Sequence, residues 1–257
     1  MRGTADMVNG MDIFRDRFSA YQDQYTIIGG MACDLLMSEA GLDFRLTQDI
    51  DMVLVVEALT EEFVHSFWQF IEDGGYENRM RSNGKPEFYR FLNPANNTYP
   101  KMIELFSRPQ AGVQLRYEGH LMPLHISDEL SSLSAILLND DYYRFLLQGR
   151  ISSDNVTILN ALHIIPLKMK AWIDLAAHKA AGEHVNDRDL RKHRLDVFRL
   201  FALISPDARV AVPASVLHDI RDFINQIRAT TVGLESIHIT RSKDEMLDIF
   251  ESIYIAE

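Results

Sequence analysis

Residues Tyr25 to Glu57 read YTIIGGMACDLLMSEAGLDFRLTQDIDMVLVVE, and the fold follows from how this stretch is divided. It opens on a short apolar run that ends in two glycines, Ile27-Ile28-Gly29-Gly30. It closes on Thr47-Gln48-Asp49-Ile50-Asp51, followed by the apolar run Met52-Val53-Leu54-Val55-Val56. The pattern predicts buried strands over Tyr25–Ile28 and Ile50–Val56, with a helix over Met31–Ala40 between them. Side chains alternate along a strand, so Asp49 and Asp51 share a face while Ile50 points into the core.

Two carboxylates held side by side at the edge of a strand repel each other unless a cation or a proton lies between them. A hard divalent cation such as Mg²⁺ takes oxygen ligands of this kind and keeps positions open for phosphate and water. The glycines supply a complementary feature. Without a Cβ, Gly29 and Gly30 allow the backbone to approach a ligand closely or to take a positive φ. The N–H groups of the following helix then face an anion, aided by the helix dipole. A phosphate cradle and an acidic pair joined by one helix and a loop point to phosphoryl or nucleotidyl transfer. Either element alone reads more readily as a turn or a solvated strand end; the combination is far more specific.

The Gly29-Gly30, helix, Thr47-x-Asp49-Ile50-Asp51 arrangement resembles the signature of the polymerase-β-like nucleotidyltransferase superfamily. The longer string from Gly29 to Leu54 looks most like the AbiEii-type nucleotidyltransferases, the toxin components of type IV toxin–antitoxin pairs. It is also similar to aminoglycoside and lincosamide nucleotidyltransferases. The resemblance is strong over about thirty residues, a minority of the chain. It implies an α/β (α+β) nucleotidyltransferase fold, a mixed sheet with flanking helices, followed by a mainly helical C-terminal domain. The composition shift around Ile151–Asn155 divides these as a catalytic domain at 1–150 and a helical domain at 151–257 that closes the active-site cleft.

Composition bounds the rest. The 257 residues are 47% hydrophobic and 25% charged, ordinary values for a globular chain with ample length for a core. The formal net charge of −11 argues against broad nucleic-acid binding, which needs clustered Lys and Arg, and suits a cationic acceptor. A single cysteine, Cys33, excludes an internal disulfide and reads as a small core residue. The opening MRGTADMVNGMDIF has no apolar signal-peptide core, and no run approaches the roughly 18 apolar residues of a membrane helix. The expectation is a cytoplasmic protein with no membrane partner.

Ile13, Phe14, Phe18 and Tyr21 recur at helical spacing ahead of the first strand. Thr60 opens a helix with Glu61 and Glu62 in its first turn and Phe63, Phe67, Phe70 and Ile71 as its apolar stripe; Gly74-Gly75 ends it. Glu87–Leu92 reads as a strand, and so does Lys101–Phe106, which carries Glu104 among apolar neighbours. A buried Glu needs a partner. Arg108 is one candidate. The resemblance implies another role, a third carboxylate arriving on a neighbouring strand to complete the metal site or to act as general base.

From about residue 127 the pattern is predominantly helical, with helices expected over Ser127–Leu138, Leu162–Leu175, Asn186–Leu200, Val210–Ile227 and Ser242–Ile253. Leu167-Lys168-Met169-Lys170-Ala171 resembles the AbiEii Leu-Lys-x-x-Ala motif, whose lysine contacts nucleotide phosphate; that position is Lys168. A helix lysine snorkelling to solvent is the other reading. Lys192-His193-Arg194-Leu195-Asp196 keeps the last aspartate of the family's Arg-Asp-x-x-Asp and replaces its Arg-Asp. Asp196 is therefore either part of the nucleotide site, orienting a lysine or the acceptor, or part of a solvated charged face. The histidines form no HExxH, and the chain has no CxxC, no GxxxxGK[ST] and no GxSxG.

The resulting expectation is an enzyme that uses Mg²⁺ or Mn²⁺ to move a nucleoside monophosphate from an NTP to an acceptor. Asp49, Asp51 and Glu104 are the candidate metal ligands. Gly29, Gly30, Thr47, Lys168 and Asp196 are the candidate nucleotide-binding residues, and Asp49, Asp51, Glu104 and Lys168 carry the catalytic roles. The resemblance implies an RNA acceptor, such as a tRNA end, and an antitoxin encoded nearby. The alternatives are an antibiotic nucleotidyltransferase acting on a small cationic molecule and, from another class, a degenerate nucleotide-binding module.

Overall fold

The computed structural model describes residues 10–45, 47–80, 86–107, 116–117, 120–121, 136 and 139–257. Helix α1 (Met11–Phe18) leads to strand β1 (Tyr25–Ile28), which passes into helix α2 (Gly29–Glu39) with no loop between them. Ile28 is still extended at φ −129°, and Gly29 reverses the chain at φ +67°. A residue with a Cβ pays for that conformation; glycine does not. Strand β2 (Asp49–Leu54) and helix α3 (Glu61–Gly74) follow. The α3 helix has the ends its sequence announces: the Thr60 hydroxyl accepts from the Phe63 N–H, and Gly75 takes the left-handed conformation at φ +62°.

Strands β3 (Glu77–Met80), β4 (Pro86–Leu92), β5 (Met102–Phe106), β6 (Arg116–Tyr117), β7 (His120–Leu121), β8 (Arg150–Ser153) and β9 (Val156–Leu159) come next in the chain. Seven strands form one sheet in the order β3-β4-β5-β2-β1-β9-β8, and β6 and β7 pair as a separate ribbon. The sheet is mixed: β2/β5 and β1/β9 are parallel, and the other neighbours are antiparallel. Its register sorts the faces. Tyr25 opposes Leu54 and Ile27 opposes Met52, whereas Ile28 opposes Asp51. Ile50 pairs with Ile103, and Ile103 with Phe91.

An aromatic layer covers the first of these faces. Phe14 and Phe18 of α1, Tyr25 of β1, and Phe63, Phe67 and Phe70 of α3 are all fully buried. Their rings meet at 4.5 to 6.5 Å between centroids, as in Phe14–Phe18, Phe14–Tyr25 and Phe63–Phe67. Each such ring contributes on the order of 2–3 kcal/mol by burial. The opposite face carries Asp49, Asp51, Glu104 and Arg90.

The helical region comprises α4 (Asp140–Gln148), α5 (Ala161–Ala180), α6 (Asp187–Leu200), α7 (Ala214–Arg228) and α8 (Lys243–Ile253). Short strands β10 (Val210–Val212) and β11 (Tyr254–Ala256) pair in parallel beside them. Pro166 lies inside α5, not at its start. The helix begins at Asn160, whose side chain accepts from the His163 N–H. Proline lacks the N–H that would bond the Leu162 carbonyl four residues back, and the Tyr254 hydroxyl donates to that oxygen instead, at 2.8 Å.

The chain divides into two compact units, Met1–Glu129 with Arg150–Leu159, and Leu130–Gly149 with Asn160–Glu257. The sequence places a single break at 150/151, yet Arg150–Leu159 is the β8–β9 hairpin of the first unit's sheet. Asp154 and Asn155 form its turn at φ +45° and +62°, the left-handed pair that suits a tight hairpin. The helix expected over Ser127–Leu138 lies outside the described residues, apart from Ile136.

Candidate functional site

Most of the residues singled out by the sequence meet at the junction of β1, α2 and β2. Asp49 and Asp51 are half-buried and stand on one face of β2, while Ile50 between them is fully buried. Asp51 pairs across β1 with Ile28, the residue before the glycine turn. Its carboxylate therefore rises beside the first turn of α2. The approach is close: a Cβ built on Gly29 would lie 1.9 Å from Asp51 Oδ2 and 2.9 Å from its Cγ. Gly29 is thus required twice, by its positive φ and by the carboxylate above it.

Gly30 is the second half of the cradle. A Cβ there would sit 3.0 Å from Thr47 Oγ1 and 3.0 Å from Arg45 Nη2. Thr47 is buried at 7% exposure, and its hydroxyl lies against the start of α2. The sequence reading did not single out Arg45. Its guanidinium lies 5.2 Å from the centre of the Phe44 ring and beside Gly30, which places a permanent positive charge at the α2 N-terminus. The signal available in the sequence was an arginine two residues before Thr47, in a loop otherwise poor in cations.

Glu104 stands in register with Asp51 on the neighbouring parallel strand, and side chains paired in this way share a face. It is buried at 7% exposure and forms an ion pair with Arg90, its cross-strand partner on β4. Of the partners weighed for Glu104, Arg108 lies outside the described residues. Among the described residues, no group of three or more His, Cys, Asp or Glu side chains is placed to hold a metal ion. The donor chemistry nevertheless fits one: Asp49 and Asp51 offer oxygen atoms alone, on one accessible face, the set a hard divalent cation prefers when phosphates and waters complete its shell.

In the helical unit, Lys168 and Asp196 are brought together. Lys168 Nζ donates to Asp196 Oδ2 at 2.9 Å, and Arg199 Nη1 donates to Asp196 Oδ1 at 3.0 Å. Lys168 is 5% exposed and Asp196 is fully buried. Neither alternative reading holds: Lys168 does not snorkel to solvent, and Asp196 does not lie on a solvated face. Two cations thus share one buried carboxylate, where the low dielectric strengthens their attraction. Lys170, on the same helix, faces elsewhere and bridges Asp174 at 3.0 Å and Asp219 at 3.5 Å. Burial pulls its pKa down, but the two carboxylates outweigh burial and hold it above the ordinary value. The Tyr142 hydroxyl donates to the same Asp219, and burial together with that carboxylate pushes the phenol up.

No family model matches the chain, and no curated protein matches it. Among solved structures, the chain is similar to the antibiotic-resistance factor ANT(2'')-Ia, at 13% identity over 88% of this chain and 94% of that one, with a TM-score of 0.34. No helix among the described residues is long and apolar enough to cross a membrane.

Proposed function

We propose that the protein is a metal-dependent nucleotidyltransferase that moves a nucleoside monophosphate from an NTP to an acceptor nucleophile and releases pyrophosphate. The observation that carries this reading is the contact between Asp51 and the glycine turn. Acidic pair and helix N-terminus occupy one small space, so a cation on the carboxylates and a phosphate on the backbone N–H groups would be neighbours. Asp49 and Asp51 would hold Mg²⁺ or Mn²⁺, which when bound supplies charge neutralisation for the phosphates and the leaving group. Gly29, Gly30 and the first turn of α2 bind phosphate through N–H groups. Thr47 fixes the glycine turn, and Arg45 adds a positive charge beside it. Glu104 serves as a third ligand or as general base toward the acceptor hydroxyl. Lys168, paired with Asp196 in the helical unit, carries a phosphate-binding role on the strength of the resemblance alone.

The resemblance to AbiEii-type enzymes favours RNA as acceptor, with a tRNA end as the substrate and a co-encoded antitoxin as partner. A second acceptor class has an observation of its own. The net charge of −11 repels a polyanion and attracts a cationic small molecule of the aminoglycoside kind. The test supplies each of the four α-labelled NTPs with Mg²⁺, once with total RNA and once with a panel of cationic antibiotics. Label in an RNA band supports the first acceptor, and label on an antibiotic supports the second. Failure of both acceptors to take label would refute nucleotidyl transfer to either class.

A further inference from the structure

The face of the sheet that bears the acidic pair also bears a cation. Arg90 on β4 and Glu104 on β5 are direct cross-strand partners, and Arg90 Nη2 is ion-paired with Glu104 Oε1. Glu104 in turn stands beside Asp51, with neighbouring strands about 4.8 Å apart. Charges therefore run in a row across three strands, Arg90, Glu104 and Asp51, with Asp49 two residues along β2. Glu104 and Arg90 have side chains 9% and 20% exposed, so their attraction is little screened by water. Carboxylates on one face of neighbouring strands repel one another, and a positive charge on one of them relieves the repulsion.

We propose that Arg90 is a built-in counter-ion that competes with the divalent metal for Glu104. The inference rests on the nucleotidyltransferase reading and adds a form of regulation to it. With Arg90 on Glu104, the cation site consists of Asp49 and Asp51. Glu104 joins as a third oxygen ligand only when it exchanges the guanidinium for the metal. No covalent bond changes; one ion pair is replaced by another. The arrangement keeps metal affinity low as long as the guanidinium holds Glu104.

The test is Mn²⁺ binding followed by the electron paramagnetic resonance of free Mn²⁺, which needs no turnover. Arg90→Gln should bind Mn²⁺ about tenfold more tightly than the unmodified protein, since a charge-assisted pair of ordinary strength no longer competes. Glu104→Gln alone should bind with near-unmodified affinity, and Arg90→Gln combined with Glu104→Gln should lose the tenfold gain. Equal or weaker binding by folded Arg90→Gln overturns the proposal. So does a large loss in Glu104→Gln alone, which would make Glu104 a ligand from the outset. If Arg90→Gln does not fold, Arg90→Lys decides the matter. Its ammonium cannot form the same forked pair, so it must bind more tightly than the unmodified protein, and no gain overturns the proposal. Failure of every form to bind Mn²⁺ would instead refute the metal reading itself, and the counter-ion with it.

Discussion

At the scale of single residues, Gly29 and Asp196 carry the sharpest expectations. Gly29→Ala adds a Cβ at φ +67° and 1.9 Å from Asp51 Oδ2. It should destabilise the protein by more than about 1 kcal/mol and abolish transfer, and both effects are read from urea denaturation and label transfer in the same preparation. Gly30, whose conformation is ordinary and whose nearest neighbours would lie at 3.0 Å, should tolerate alanine better. The sequence marks the glycine pair but does not rank its members, because the ranking depends on where the Asp51 carboxylate points. Asp196→Ala removes from buried Lys168 and from Arg199 the carboxylate they share. A loss of about 3–5 kcal/mol is expected from equilibrium unfolding, and a loss under 1 kcal/mol would place Asp196 on the surface after all. That Asp196 orients a lysine was one of the readings open in the sequence, but that the lysine is Lys168, 28 residues away, was not legible. Burial was equally hidden, because charged neighbours along α6 give Asp196 the look of a solvated face.

At the scale of elements, α5 shows what the sequence conveyed and what it concealed. Its apolar face and existence were plain. What was hidden is how the helix tolerates Pro166 inside it, which the Tyr254 hydroxyl on the Leu162 carbonyl explains. The first turn also buries His163. Its ring stacks on Phe145 at 4.3 Å between centroids, and its Nδ1 meets Asn160 Oδ1 at 2.9 Å. A Cβ on Gly149 would fall 2.1 Å from the ring. Burial lowers the His163 pKa from 6.5 to about 4. Between these values the unfolded chain takes up a proton that the folded chain refuses. Stability is therefore whole above pH about 6.5 and falls as the pH drops toward 4, by up to about 3 kcal/mol. Urea midpoints at pH 7.5 and 5 should show this loss, and His163→Gln should reduce it; an unchanged pH slope in the variant would contradict the assignment. The β8–β9 hairpin is hidden in the sequence for a different reason: Asp154-Asn155 lacks the glycine that announces most tight turns, so Ile151–Asn155 reads as a domain boundary.

At the scale of the whole molecule, that hairpin matters because β9 pairs with β1, the strand that feeds the glycine turn. A fragment ending at residue 150 leaves the β1 edge without this partner, whereas one ending at 159 retains it. The shorter fragment should aggregate or melt without cooperativity, and the longer one should show more native-like circular dichroism. Equal behaviour would mean that β9 is dispensable to the sheet. The glycine turn and the acidic pair were foreseeable because they arise within one contiguous stretch of strand, helix and strand, and the mixed sheet followed from the family resemblance. Arg90 was not foreseeable, because its partnership with Glu104 depends on which strands lie side by side in the sheet, and Arg45, though inside that stretch, sits in a loop whose path the pattern does not fix. The account as a whole turns on Asp51, and one comparison tests it most directly: single-turnover transfer of α-labelled against γ-labelled NTP in Mg²⁺, by the unmodified protein and by Asp51→Asn of matched thermal stability. The account predicts acceptor labelled from the α-phosphate only, lost on chelation with EDTA, and reduced by at least about a hundredfold in Asp51→Asn. Transfer of the γ-phosphate, or equal α-transfer by the variant, would contradict it.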